Sequence, residues 1–146
     1  MSESHLNPLH LTQEISPEDK KVVCDSLYGY NVTVTNGLLQ QPDIWVSLVL
    51  KDEFGQVWGG VFCDTYLNCL YIDVLWIDDR YRGQGYGQAL MADVERKARE
   101  AGCTFAHTST FSYQSPDFYQ RIGYQIYAVL DDFPDGIKEY FLKKKL

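Results

Sequence analysis

Between Leu75 and Leu90 the chain reads Leu-Trp-Ile-Asp-Asp-Arg-Tyr-Arg-Gly-Gln-Gly-Tyr-Gly-Gln-Ala-Leu, and no other stretch restricts the fold so tightly. An apolar run ends at Ile77, a short charged loop follows, and glycines at 83, 85 and 87 lead into a segment in which Tyr86, Leu90, Val94 and Ala98 share one helical face. Gly102 is a helix stop, so the spacing predicts a helix over about Gly85 to Ala101. Glycines at a strand-to-helix junction let the backbone approach a ligand, and the first amides of the helix present N–H groups with a positive dipole. The group expected there is a phosphate. A Walker loop requires a Lys after its glycines and none follows here; a dinucleotide fingerprint requires an acid at the end of the next strand, and Thr104 to Thr110 has none.

The flanking chain supplies the rest of an α/β fold. Ser16-Pro17-Glu18-Asp19 combines an N-cap residue, a proline for the first helical position and acids for the positive helix end, predicting a helix to about Tyr30. Trp45 to Lys51, Val57 to Asp64 and Cys69 to Ile77 are rich in Val, Leu, Ile and aromatics and read as three antiparallel strands. After the central helix, Thr104 to Thr110 returns to strand, and Pro116 to Ile122 forms a short helix between Ser115 and Gly123. Tyr124 to Leu130 and Glu139 to Lys144 are strands around a turn at Phe133 to Gly136. Leu9 to Thr12 offers a further strand at the front. The expected architecture is a single domain over residues 1–146, with a mixed, mostly antiparallel sheet flanked by helices.

Charge narrows the function. The 146 residues carry 13 basic and 20 acidic side chains, a net −7, which disfavours a nucleic-acid surface built on clustered Lys and Arg. Residues 1–76 hold three basic and ten acidic side chains, whereas 77–146 hold ten of each, so the whole excess lies in the front half. An acidic side to a cleft attracts a cationic partner; acidic loops also simply keep a protein soluble. No stretch approaches the ~20 apolar residues of a bilayer span, and Met-Ser-Glu-Ser-His lacks the basic-then-apolar order of a signal peptide. Cys24, Cys63, Cys69 and Cys103 form no C-x-x-C pair or zinc-like spacing. They read as free, mostly buried thiols in a reducing cytoplasm. His5, His10 and His107 have no ligand spacing, and His107, alternating within an apolar strand, reads as a satisfied core residue. No metal site is expected.

The glycine loop resembles the acetyl-CoA signature [RQ]-x-x-G-x-[GA] of the GNAT superfamily of N-acetyltransferases, matched by Arg82, Gly85 and Gly87. The resemblance continues in Ser112-Tyr113-Gln114-Ser115-Pro116-Asp117-Phe118-Tyr119-Gln120-Arg121-Ile122-Gly123-Tyr124, which is similar to the second signature, a tyrosine followed four residues later by Gly and an aromatic. It implies that Leu75, Trp76 and Ile77 pair with the pantetheine arm of acetyl-CoA as an added strand. The amides of Gly83, Gln84, Gly85, Tyr86, Gly87 and Gln88 hold its pyrophosphate with help from Arg82, and Ser112 counts among the cofactor-binding residues. Tyr119 matches the general acid that protonates the leaving CoA thiolate. Asp73, expected on the same strand face as Leu75 and Ile77, matches a position where members carry a Glu or Asp base; Tyr71 stands at another position where some place a catalytic Glu.

An amine is mostly an ammonium at neutral pH and must lose a proton before attacking a thioester. Deprotonation through a water chain ending at Asp73 meets that need, and direct transfer in a ternary complex fits cysteines that sit in no nucleophile context. The acidic front half leans toward a small cationic amine acceptor. Acetylation of a protein lysine or N-terminus and a non-catalytic acyl-CoA-binding module stay open, as does a homodimer. Asp131, Asp132 and Asp135 are either an edge of the amine site or a solvated turn. Tyr28, Tyr30, Trp45, Trp58 and Tyr66 are either cation–π walls or core.

Overall fold

The computed structural model describes residues 6–40 and 46–146, in two compact units, Met1–Gln40 and Gln41–Leu146. In the first, helix α1 (Pro17–Val34) starts as its sequence requires. The Ser16 hydroxyl accepts the Asp19 amide at 3.1 Å, and the Asp19 carboxylate accepts the Ser16 amide at 2.7 Å, a reciprocal capping box. The helix runs four residues past the expected end, because nothing after Tyr30 breaks it until Asn36 (φ 51) and Gly37 (φ 79) turn left-handed. Leu9 to Thr12 is irregular rather than a strand. A four-residue strand persists only where a neighbour takes its backbone groups, and no strand among the described residues pairs with it.

The second unit is a six-stranded sheet in the order β1-β2-β3-β4-β6-β5. Its strands are β1 (Leu48–Lys51), β2 (Val57–Tyr66), β3 (Cys69–Ile77), β4 (Phe105–Phe111), β5 (Gln125–Leu130) and β6 (Glu139–Lys145). Every neighbouring pair is antiparallel except β3 and β4. The parallel pair needs a crossover, supplied by α2 (Tyr86–Glu100). Trp45 lies outside the described residues, and pairing begins at Leu48. Between β4 and β5 stands the six-residue helix α3 (Pro116–Arg121). No helix among the described residues is long and apolar enough to cross a membrane.

Leu90, Met91, Val94 and Ala98 of α2 pack with Val61, Leu70, Ile72, Ala106 and Leu142 of the sheet, and Tyr119 and Tyr124 complete the same core. Cys69 and Cys103 are buried and Cys63 half-buried, whereas Cys24 is exposed on α1. His107 is not in this core. The core side of β4 is Ala106, Thr108 and Thr110, so strand alternation turns His107 to the opposite face. There its Nε2 meets the Tyr66 hydroxyl at 2.9 Å, beside the rings of Tyr71 and Phe105.

Candidate active site

The β3 and β4 backbones pair for three residues only, Cys69 with Phe105, Leu70 with Ala106 and Tyr71 with His107. Beyond that point β3 continues to Ile77 along β2, and β4 continues to Phe111 along β6, so the two parallel strands part like a fork. The root is pinned by a side chain: buried Thr108 donates from Oγ1 to the Ile72 carbonyl at 2.8 Å, where the next ladder bond would fall. Past the root, the β4 side of β3 is a strand edge with no ladder partner among the described residues, suited to an extended group bearing amides.

The edge also carries a bulge. Val61 faces Leu75 and Cys63 faces Ile72, so two residues of progress on β2 match three on β3, and the extra residue falls at Asp73–Val74. Leu70 and Ile72 before the bulge and Leu75 and Ile77 after it all pack toward the core, while Asp73 and Val74 are exposed together. Asp73 therefore does not share a face with Leu75 and Ile77 as strict alternation predicts; it lies with Tyr71 and Trp76 on the other side of the sheet.

From Ile77 the chain enters the glycine loop. Gly83 (φ 72) and Gly85 (φ 87) are left-handed, and among the described residues no atom lies within 4 Å of where a side chain would begin, so backbone conformation rather than crowding selects glycine there. Gly87 is chosen by crowding: a Cβ would stand 3.3 Å from Phe118 and from Ile77, so it allows the first turn of α2 to seat against α3 and the end of β3. The first turn of α2 has neither a side-chain cap nor an acid. Its amides, from Tyr86, Gly87 and Gln88, suit an anion. Gln84 donates from Nε2 to the Arg80 carbonyl at 3.1 Å, tightening the loop.

Arg82 turns back on the loop: its Nε donates to the Ile77 carbonyl at 2.8 Å and its guanidinium pairs with Asp79 at 2.7 Å. Arg80 is held by Asp78, which accepts from Nε at 2.8 Å and from Nη2 at 3.1 Å. These bonds pull the Asp78 carboxyl down to about 2. The same guanidinium lies 4.0 Å over Trp58, whose indole N–H donates to Asp52 at 2.8 Å. Of the aromatics considered as cation–π walls, Trp58 is thus already covered by the chain's own cation. Sequence reasoning missed this brace, whose acid, Asp52, stands in the turn between β1 and β2.

Tyr119 projects from α3 into the core and is 5% exposed. It lies beside Thr108 at the root of the fork, and burial pushes its hydroxyl up to about 12, so it keeps its proton at any physiological pH. Cys63, on the strand behind, is also pushed up to about 12 by burial and by the charges of Asp64 and Asp73. It is a thiol rather than a thiolate at neutral pH. Ser112 is engaged with the backbone of Lys138: its amide donates to that residue's carbonyl at 2.8 Å and its hydroxyl accepts the Lys138 amide at 3.1 Å. Asp131, Asp132 and Asp135 are exposed on the β5–β6 connection.

Known proteins are similar to this chain in sequence and fold. The chain is 35% identical to an acetyltransferase of Bacillus cereus, whose crystal structure matches with a TM-score of 0.83 over 94% of this chain and 98% of that one. It is 40% identical over 95 residues to a blasticidin-S acetyltransferase of Streptomyces morookaense, covering 64% of this chain and 70% of the relative. An acetyltransferase of Agrobacterium fabrum is 27% identical over 135 residues, or 92% of this chain and 96% of that one. The model of the acetyltransferase (GNAT) family matches residues 11–124. With glycine loop, parting strands and α3 tyrosine all in that frame, the chain belongs to the GNAT family of acetyltransferases.

Proposed function

We propose that the protein transfers acetyl from acetyl-CoA directly to the primary amine of a small cationic molecule, within a ternary complex. The observation that carries this reading is one continuous track: the unpaired β3 edge of Leu75, Trp76 and Ile77 runs straight into the loop of Gly83 to Gln88, and Tyr119 stands at the root of the same fork. The edge suits the amides of pantetheine and the loop suits a pyrophosphate, with Arg82 bracing the loop from the Ile77 carbonyl. Tyr119, protonated to about pH 12, donates to the sulfur that leaves as the amine takes the acetyl group. Exposed Asp73 receives the amine's proton through water. Cys63, protonated and half-buried, fits direct transfer better than an acyl-enzyme.

The family match extends across both units, which supports 1–146 as one acetyltransferase domain. The acceptor class rests on the acidic front half and on the relative named for blasticidin S, a small molecule. A cytoplasmic location agrees with four cysteines that form no disulfide.

Thiol release from acetyl-CoA, measured across polyamines, aminoglycosides, blasticidin S, amino acids and peptides, tests the reading. Small cationic amines are expected to be the best acceptors. A peptide as best acceptor replaces the acceptor class, and release with none makes the protein an acyl-CoA-binding module. Tyr119→Phe is expected to lower kcat on the order of 10²-fold with little change in acetyl-CoA affinity. Asp73→Asn is expected to move the pH optimum upward, because the amine must then await its own deprotonation; an unmoved profile dismisses Asp73 as the base.

A further inference from the structure

Glu95 is a carboxylate on the buried face of α2, 4% exposed, at a position that continues the row of Met91, Val94 and Ala98. A charge so placed is tolerable only when fully partnered, and it is. Tyr124 donates its hydroxyl to Oε1 at 3.0 Å, and Lys144 donates from Nζ to Oε2 at 2.8 Å. The same ammonium donates to the Ile122 carbonyl at 2.8 Å. One carboxylate thereby ties together α2, the chain leaving α3, and β6, with no part in the glycine loop or the β3 edge.

The residue this cluster touches is Tyr119. The Tyr119 carbonyl accepts the Tyr124 amide at 2.9 Å, and the two rings meet edge to face, 5.5 Å between centroids at 70°. Helix α3 is only six residues long, so its own hydrogen bonds hold Tyr119 weakly. Its exit is fixed instead by Lys144, which binds the Ile122 carbonyl and whose stem lies along Gly123 (φ 100). The Lys144 side chain is 25% exposed, so the enclosed element of the cluster is the Glu95 carboxylate with the bond it accepts from Tyr124, and that bond fixes the orientation of the Tyr124 ring.

We propose that Glu95, Tyr124 and Lys144 are positioning residues that hold the Tyr119 phenol at the root of the β3–β4 fork, an inference that rests on Tyr119 being the proton donor. The position of Tyr119 then depends on the tilt of the Tyr124 ring, and that tilt depends on the bond to Glu95. A displacement of about 1 Å at a reacting group can cost up to ~10²-fold in rate. Loss of the Tyr124 hydroxyl is expected to act on turnover and leave acetyl-CoA binding alone.

The test measures kcat, KM for acetyl-CoA and Tm for Tyr124→Phe, Glu95→Gln, Glu95→Leu, Tyr119→Phe and the double variant Tyr119→Phe with Tyr124→Phe. Tyr124→Phe is expected to lower kcat about tenfold with KM unchanged. Glu95→Gln keeps an acceptor for Tyr124 while losing the ion pair, so it should retain most of kcat despite a lower Tm. Glu95→Leu should match Tyr124→Phe in kcat, and if it fails to fold the glutamine variant and the Tyr124 pair still decide the matter. The double variant should be no slower than Tyr119→Phe alone, the non-additivity of residues acting through one group. A slow Tyr119→Phe enzyme slowed further by Tyr124→Phe, or a kcat that follows Tm through the series, overturns the positioning role and leaves the proton donor standing. Full kcat in Tyr119→Phe overturns the proton donor, and the positioning role with it.

Discussion

Helix α1 closes its first turn with its own side chains, whereas helix α2 leaves its first turn to the backbone. In α1, Ser16 and Asp19 bond each other's amides, and Glu18 and Asp19 set negative charge against the positive end of the dipole. In α2 the N-cap is Gly85 in a left-handed conformation, no side chain caps the helix, and no acid lies in its first turn. The chain thus has the means to cap a helix and omits them where an anion is proposed to bind. An uncapped start forgoes about 1 kcal/mol of helix stability, and acids beside it would repel a phosphate. What distinguishes the two ends is that the first turn of α1 is closed by its own neighbours in sequence, whereas that of α2 is left open for the anion proposed to bind there.

The largest expected effect comes from making α2 resemble α1. Gly85→Asp places a carboxylate at the N-cap of α2 and an L-residue at φ 87, where strain is about 1–3 kcal/mol. The rise in Tm expected from acetyl-CoA by mass action should vanish, and kcat/KM for acetyl-CoA should fall on the order of 10²-fold. A variant with the full thermal shift would put the pyrophosphate elsewhere.

Stripping the cap from α1 is the converse. Ser16→Ala is expected to destabilise that helix by about 1 kcal/mol, seen as earlier loss of far-ultraviolet helical signal on heating, with KM for acetyl-CoA unchanged. A raised KM would mean that the two helix starts are coupled rather than separate devices.

The smallest effect is on acid stability. Asp19 is held below the ordinary carboxylate range by the amide and hydroxyl of Ser16, and Asp78 is held at about 2 mainly by Arg80. A carboxyl depressed in the folded state contributes fully above its unfolded value, near 3.8, and its contribution disappears as pH falls through the folded value. The stabilisation from Asp78 is therefore expected to fade between about pH 4 and pH 2. Acid titrations of Asp19→Asn and Asp78→Asn, each compared with the parent chain, should show a shallower loss of stability over that range.

Several features were legible because their causes are adjacent in the chain. Ser16, Pro17 and Asp19 announced the start of α1, and Gly83, Gly85 and Gly87 after an apolar run announced a strand-loop-helix junction. The two signatures, with their spacing, led to the family. The succession of strands along the chain followed from apolar runs, while their order in the sheet did not; and alternation itself failed where the extra residue at Asp73–Val74 turned Asp73 away from the face it was assigned. Leu9 to Thr12 has the composition of a strand and, among the described residues, no partner to make it one.

What belonged to the sequence alone was therefore whatever a few consecutive residues decide: caps, glycine conformations, helix faces and signature spacing. Only the tertiary structure decided where β3 parts from β4, because that depends on Thr108 reaching the Ile72 carbonyl across 36 positions. The same holds for Glu95, which in sequence is an acid intruding on an apolar helix face. Its bonds to Tyr124, 29 residues on, and to Lys144, 49 residues on, exist only once the sheet has closed over α2. Local chemistry acts through neighbours fixed by the covalent chain, whereas a buried charge or an interrupted ladder takes its meaning from groups that folding alone brings within hydrogen-bond reach.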